Sequence, residues 1–287
     1  MNRLRISSII SIARSEYLRW ITNSRIIIIG ILCVFMKTLA VDPLLERAEK
    51  MNVPLTIFEP FVAIGNSGML VMFIPCVFLI LISDYPIISG NTLFFVQRSE
   101  RTNWFLGQIL FVIFAIISYM GMILIASILI SSGVFRTEWS ETVRLYCSKF
   151  PEEYDSFASE LLPSNLYNQI PLITSVLQTF ILMSAYLFLL VLILYFFKLI
   201  YIKSAGLIAV FIVIGLGVAT CSLKTSAMWW FPMANTIVWL HYTEVLRDPV
   251  VPIWKSYAYF GIMIVILLII DIFLMRRFQF KNIEQVG

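Results

Sequence analysis

Residues 82–104 read ISDYPIISGNTLFFVQRSERTNW and form a short polar and aromatic interruption between two long apolar runs. The interruption is too small to be a domain and too charged to lie in hydrocarbon, so it has to lie at one face of a membrane. Gly90 and the charged residues Arg98, Glu100 and Arg101 predict a tight turn followed by a short surface helix. Such a helix is accessible to a soluble partner protein.

The composition of the chain predicts an all-α polytopic membrane protein. Its 287 residues are 60% hydrophobic and 13% charged, with a mean hydropathy of +0.91, whereas an average soluble domain has roughly 25% charged residues. The net charge of +4 comes from 21 Lys and Arg against 17 Asp and Glu. In so apolar a chain this surplus reports how the helices are oriented and gives no reason to expect a nucleic-acid partner.

Residues typical of catalytic and metal sites are scarce. The four cysteines, Cys33, Cys76, Cys147 and Cys221, have no CxxC spacing and are expected to be small buried side chains without a disulfide framework. The single His241 is expected to be an interfacial residue satisfied by a neighbour rather than a ligand or a proton relay. The sequence has no HExxH, GxSxG or phosphate-loop motif, so we expect neither enzyme activity nor a bound cofactor or metal.

Residues 1–24 are predicted to form a cytoplasmic interfacial helix. Arginines at positions 3, 5, 14 and 19 alternate with apolar residues that recur every three or four positions, which places one apolar stripe on a helix. Such a helix suits the surface of an anionic leaflet. A signal peptide fits poorly, because the apolar run begins only at Ile26, contains Lys37 and lacks a small-residue cleavage site.

Residues 25–287 are predicted to form a transmembrane domain of six helices. Each apolar segment approaches the roughly 20 residues that cross a bilayer, although the first two are short. The segments are about 26–41, 68–82, 104–130, 173–197, 205–222 and 257–275.

The distribution of Lys and Arg predicts that both termini are cytoplasmic. With the N-terminus inside, twelve basic residues fall on the inner side and eight in the outer loops. The inner ones lie close to helix ends, and most of the acidic residues fall in the outer segments, including six in the loop 131–172. We therefore expect a multi-pass protein of the cell membrane, in a bacterial plasma membrane.

Three connecting segments carry the candidate sites. The first is the cytoplasmic loop 83–103, and the second is the long acidic loop 131–172, which is predicted to form an extracellular cap. The third, 223–255, is too apolar for a free loop and too interrupted for a span, so it is predicted to be a re-entrant or interfacial outer hairpin. Its residues Trp229, Trp230, Trp239 and Tyr242 are candidates for the substrate path or outer gate, and equally for interfacial anchors.

Ionisable residues inside the spans are the default functional candidates because they are costly in lipid. Lys37 is close enough to the outer end of the first span to extend toward water. Asp271 lies within about a turn of Arg276, so we expect an interfacial ion pair there rather than a transport site. Asp84 is expected either to cap the turn after the second span or to stabilise the arginines of the loop.

In layout, the chain resembles the membrane subunit of a type 2 ATP-binding-cassette exporter, the ABC-2 permease superfamily. The resemblance covers the basic N-terminal helix, the six spans, the first cytoplasmic loop and the aromatic hairpin before the last span. It departs from the family at Ser89, where a glutamate is usual, and at Gln108, where a basic residue is usual. Its most specific part is the loop, with Asp84, Gly90-Asn91-Thr92, Leu93-Phe94-Phe95-Val96, Arg98, Arg101 and Trp104-Phe105-Leu106-Gly107.

The resemblance implies a coupling helix that docks into a groove on a cytosolic ATPase subunit. ATP and magnesium would then bind the partner, and a second copy of this chain or a related permease would complete the pathway. An amphipathic cargo such as an antimicrobial peptide or a lipid follows from the same resemblance. The implied coupling residues are Asp84, Gly90, Thr92, Phe94, Phe95, Val96, Arg98, Glu100 and Arg101, with Phe94, Phe95 and Val96 as the buried anchor and Arg98, Glu100 and Arg101 as the polar rim.

Two other classes of function remain open at this stage. A membrane sensor or accessory protein would use the acidic loop 131–172 as its receptor surface and would move no substrate. An ion-coupled transporter or channel would need paired carboxylates, broken helices or an inverted repeat at the midplane, and the sequence displays none of these. An adjacent gene for a Walker-type ATPase would favour the exporter, and an adjacent histidine kinase would favour the sensor.

Overall fold

The computed structural model describes residues 5–86, 100–153, 160–243 and 250–278. These residues are mainly helical, and Thr56 and Val134 form an isolated β-bridge among them. The helices in chain order are α1 (Ile6–Ile21), α2 (Ile27–Met36), α3 (Asp42–Met51), α4 (Glu59–Asn66), α5 (Gly68–Ile82), α6 (Arg101–Ser131), α7 (Glu141–Lys149), α8 (Ser164–Tyr167), α9 (Leu172–Leu199), α10 (Lys203–Ser222), α11 (Pro232–Thr236) and α12 (Ile253–Arg277).

Five helical runs within the described ranges are long and apolar enough to cross a membrane. They are Ser24–Met51, α6, α9, most of α10, and α12. The pair α4 and α5 makes a sixth if the two helices count as one span, although they are bent by 83°. The all-helical membrane class is thus confirmed, and the predicted six spans correspond to the upper limit of this range.

The first span is longer than its sequence pattern predicts. Ser24–Met51 is a run of 28 residues, whereas the apolar segment ends near Val41. A π-helical turn, Lys37–Val41, joins α2 to α3. A π-helix bonds residue i to residue i+5, and at this turn Lys37 reaches Asp42 five residues on, with Nζ 2.9 Å from Oδ1.

The interior is organised around α9, which packs against α4, α5, α6, α10, α11 and α12. Helix α1 follows the first half of α6, since the backbone N–H of Arg5 donates to Asn103 Oδ1 at 3.4 Å and the hydroxyls of Tyr17 and Ser118 lie 2.7 Å apart. The predicted N-terminal helix is therefore present. These contacts favour an inclined position along α6 over a flat one, and its place on the membrane surface stays a prediction.

The bundle has two ends that differ in character. Residues 42–58, 132–153 and 226–241 lie at the end where α5 begins and α6 stops, and we call this the cap end. The segments 84–86 and 100–103 lie at the opposite end, which we call the loop end. The described candidate residues of the predicted loop and those of the predicted hairpin therefore occupy opposite ends of the spans.

The bend between α4 and α5 is fixed by close packing on α9. All eight residues of α4 are buried, and Ser67 is extended, with φ −74° and ψ 121°, so it separates the two helices. Gly65 faces Thr179 of α9 so closely that an added Cβ would overlap Thr179 Cγ2. A glycine is required here because α4 and α9 approach within the space of one methyl group.

The Gly65→Ala variant should therefore be less stable. We expect a loss of about 1–3 kcal/mol from overpacking, read as a lower midpoint of thermal unfolding in detergent. The second change Thr179→Ser should restore the midpoint, because it removes Cγ2 and keeps the hydroxyl.

Gly121→Ala is the matched control, since nothing lies within 4 Å of a Cβ built at Gly121. A Gly65→Ala protein as stable as the Gly121→Ala protein would contradict the packing described here.

Candidate functional site

The predicted coupling segment lies only in part within the described residues. Asp84, Glu100 and Arg101 are described. The predicted residues Gly90, Thr92, Phe94, Phe95, Val96 and Arg98 lie outside the described ranges.

The first residues of the segment contact the turn before α2 and the last turn of α9. Asp84 Oδ2 lies 2.5 Å from Arg25 Nη1, just before α2, so its partner is an arginine outside the loop. Lys198, in the last turn of α9, donates from Nζ to the carbonyls of Asp84 at 2.9 Å and Pro86 at 2.7 Å. The ion pair is half-exposed and worth at most about 1 kcal/mol, but the lysine holds the backbone itself.

The last residues of the segment contact the last turn of α12 and the residue before α1. Arg101 donates from Nη1 to the carbonyl of Arg276 at 3.0 Å, at the last turn of α12. Asn103 accepts from the backbone of Arg5 before α1. Glu100 precedes α6 with a φ of 66° and is exposed, so it lies on the accessible surface, as a rim residue would.

The four aromatic candidates of the outer hairpin have different environments. Trp230 is 81% exposed, although its carbonyl accepts from the Tyr259 hydroxyl at 2.9 Å. The ring of Trp229 lies 4.9 Å from that of His241. The carbonyls of Trp239 and Tyr242 both accept from Asn165 Nδ2 at 2.9 Å. Of the four, Trp230 has the one largely exposed side chain, because those of Trp229, Trp239 and Tyr242 are partly buried.

A buried junction at Asn66 joins the bent helix pair to the hairpin. Its Nδ2 donates to the carbonyl of Val62 at 2.8 Å and to Thr179 Oγ1 at 3.0 Å. Its Oδ1 accepts from the backbone of Val238 at 2.8 Å, and its carbonyl accepts from Trp239 Nε1 at 3.0 Å. One residue thus connects α4, α9 and the hairpin, which is buried protein over residues 232–238 rather than a free loop.

A second polar network joins the hairpin to α12. The Asn235 amide donates to the carbonyls of Trp229 at 2.9 Å and Phe231 at 3.0 Å, which leaves its Oδ1 to accept from Ser256 Oγ at 2.8 Å. Nδ1 of the buried His241 lies 2.8 Å from the carbonyl of Val251 and must donate to it. Burial lowers the pKa of His241, so the ring is neutral at pH 7.

The cap is assembled around the carboxylate of Glu59, at the first turn of α4. Glu59 is fully buried and accepts from the backbone of Thr56 at 2.8 Å. It also accepts from the backbone of Ser140 at 2.5 Å and from its hydroxyl at 3.0 Å. At the rim, Lys50 pairs with Glu153 at 2.6 Å, and the hydrogen bonds from Lys50 and Tyr146 lower the pKa of Glu153.

The ion pair expected between Asp271 and Arg276 is not present. The carboxyl group of Asp271 is fully buried and has no hydrogen-bond partner among the described residues, and Arg276 is exposed. In a regular α-helix, positions i and i+5 are about 140° apart, whereas facing side chains are three or four residues apart. The prediction was wrong because two residues five positions apart in a regular α-helix are near in sequence but do not lie on the same face of the helix.

Sequence reasoning missed the residues that hold the hairpin in place. Asn66 lies just before the predicted span 68–82, at the boundary between a loop and an apolar segment. The short run Asn66-Ser67-Gly68 was a signal that the helix is interrupted there. Asn235 and Ser256 had no such signal, because each is an ordinary polar residue until the fold brings them together. The expectation that a neighbour satisfies His241 is confirmed by its bond to Val251.

The fold defines a helical, membrane-embedded protein with five to six potential spans and a polar junction at its cap end. Comparison with protein-family models, with curated proteins and with solved structures finds no match.

The Glu59→Gln variant should loosen the cap. The carboxylate of Glu59 accepts hydrogen bonds from Thr56 and Ser140, and the N–H groups of the new amide cannot accept them. At least one of these donors would lose its partner, which costs about 1–3 kcal/mol of stability. We expect a lower unfolding midpoint and faster proteolysis within residues 42–58 and 132–153.

Glu138→Gln is the control, since the side chain of Glu138 is exposed in the same region. Equal midpoints and equal proteolysis for the two variants would show that Glu59 does not organise the cap.

Proposed function

We propose that this chain is the permease subunit of an ATP-driven exporter of the ABC-2 type, with the nucleotide site on a separate cytosolic ATPase. The observation that carries the proposal is the attachment of the segment 83–103 at both of its ends. Asp84 and Pro86 are held by Arg25 and Lys198, and Arg101 is held at the end of α12.

These attachments suit a segment that receives force from a partner. A displacement of residues 84–86 acts directly on α2 and α9, and a displacement of residues 100–103 acts on α1, α6 and α12. Because α9 packs against most of the bundle, movement at the loop end reaches the cap end through packed helices. An ATPase that changes shape in its catalytic cycle would supply such a displacement.

The same proposal places both termini in the cytoplasm and the protein in a bacterial plasma membrane as a multi-pass subunit. Two of its long helices have broad exposed apolar faces, which suit lipid or a second permease copy. The exposed residues are Ile208, Phe211, Ile212 and Leu216 on α10, and Ile262, Val265, Ile266, Ile269 and Phe273 on α12.

The outer hairpin would seal the pathway on the far side. Its closed position depends on Asn66 and Ser256, which bind it to the bent helix pair and to the last span. Release of these bonds would free Trp229, Trp239 and Tyr242 to contact an amphipathic cargo, such as an antimicrobial peptide or a lipid. The cargo class rests on the resemblance to the exporter family.

A sensor or accessory protein is the second candidate. The observation that favours it is the folded cap, in which Glu59 binds Thr56 and Ser140 and the Arg47 guanidinium lies 4.5 Å from the centre of the Tyr146 ring. A rigid outer surface of this kind suits recognition of an external ligand.

The test of the proposal is purification of the chain in mild detergent from its native host, with mass spectrometry of what remains bound. The variant combines Phe94→Ala, Phe95→Ala and Arg98→Ala. The control combines Phe135→Ala and Arg136→Ala, an exposed aromatic and basic pair at the cap end.

We expect a protein with a Walker-type nucleotide site to accompany the wild type and the control, and to be lost from the triple variant. Its absence from the wild type, or equal binding to all three proteins, would overturn the proposal and favour the sensor.

A further inference from the structure

Several polar groups near the loop end are buried without a hydrogen-bond partner in the described part of the chain. They come from α1, α6, α9, α12 and the segment after α5, so they converge from different elements. The atoms are Glu16 Oε2, Trp20 Nε1, Tyr85 Oη, Gln108 Oε1, Tyr195 Oη and both carboxylate oxygens of Asp271. An unpaired buried polar atom costs about 1–3 kcal/mol, so each of these groups requires an explanation.

Asp271 is the most unusual of these groups. It lies six residues before the end of α12, roughly 9 Å along the helix from Arg277. Its side chain is fully buried, and the described residues provide neither a hydrogen bond nor an ion pair to it. A carboxylate inside a membrane bundle is retained at considerable cost.

Four described basic residues at the loop end have other partners or are exposed. On α9, Lys198 donates to the carbonyls of Asp84 and Pro86, and at the start of α6 Arg101 donates to the carbonyl of Arg276. On α12 itself, Arg276 is exposed and the Arg277 guanidinium lies over the ring of Phe273 at 4.6 Å. Among the described residues none of these cations forms an ion pair with Asp271, so burial favours the neutral form of its side chain.

Asp271 belongs to a group of titratable side chains that lie within electrostatic range of Tyr195. The hydroxyl of the buried Tyr195 interacts electrostatically with Asp271 and with Glu16 and Tyr85. Glu16, on α1, is partly exposed, and its Oε1 accepts from Gln108 Nε2 at 3.3 Å. Burial raises the pKa of Glu16, and the hydrogen bond from Gln108 and the charge of Arg19 oppose that rise.

We propose that Asp271 is a proton-binding site in the last span, within electrostatic range of Tyr195. Its ligand is a proton, taken up from the aqueous phase at the loop end. Binding forms one O–H bond on the Asp271 carboxylate and neutralises it, and release returns the proton to that phase. The protonated state favours α12 packed on α9, while separation of the two helices admits water and ionises the carboxyl group.

The proposal goes beyond the proposed function and does not depend on it, because proton binding requires neither an ATPase nor a cargo. The assignment of the loop end to the cytoplasm belongs to the proposed orientation alone.

Infrared spectroscopy of the full chain in phosphatidylcholine and phosphatidylglycerol nanodiscs tests the proposal. The wild type at neutral pH should have a carboxylic-acid C=O band, which decreases as the pH is raised. Asp271→Asn should remove the part of the band that shifts with ¹³C-labelled aspartate, and Glu16→Gln, which removes a partly buried glutamate of this cluster, should retain that part. The intact wild type with ¹³C-labelled aspartate gives a second reading, since its band should shift.

Three results would overturn the proposal. The first is a wild type with no carboxylic-acid band at neutral pH. The second is a band of which no part shifts with labelled aspartate. The third is an aspartate-sensitive part of the band that persists in Asp271→Asn or disappears in Glu16→Gln. The labelled wild type keeps the test decisive even if a variant does not fold.

Discussion

The buried amide of Asn66 is the interaction on which the arrangement of the cap end depends. It lies where Ser67 interrupts the helical path, and it connects the bent pair to α9 through Thr179 and to the hairpin through Val238. A broken helix leaves backbone groups that a bilayer cannot satisfy. Here the Trp239 indole N–H donates a hydrogen bond to the Asn66 carbonyl. The break, the hairpin and the central helix therefore depend on the same residue.

The two ends of the bundle use different means of attachment. At the cap end, neutral side chains and the carboxylate of Glu59 bind backbone groups in a fully buried setting, where each bond is costly to break. At the loop end, Arg25, Lys198 and Arg101 hold the flanks of the segment 83–103 from partly exposed positions. Exposed charged contacts exchange more readily, so the loop end is the end suited to movement driven by a partner.

The spans were predictable from the sequence because apolar windows of bilayer length have few alternative structures. The contacts between distant segments were not, since Glu59 with Ser140 and Asn66 with Val238 pair across long stretches of chain without a local pattern. The ionisable residues illustrate the limit well. Lys37 and Asp42 meet five residues apart across a π-helical turn, whereas Asp271 and Arg276 have the same spacing in a regular helix and do not meet.

Hydrogen–deuterium exchange of the Asn66→Ala variant tests most directly whether this junction holds the cap end together. The account predicts faster exchange in α4 and in residues 232–241, with unchanged exchange at the loop-end turns of α9 and α12. Asn168→Ala, at an exposed asparagine near the cap, should leave the exchange of both segments as in the wild type. Unchanged exchange in residues 232–241 of Asn66→Ala would contradict the account.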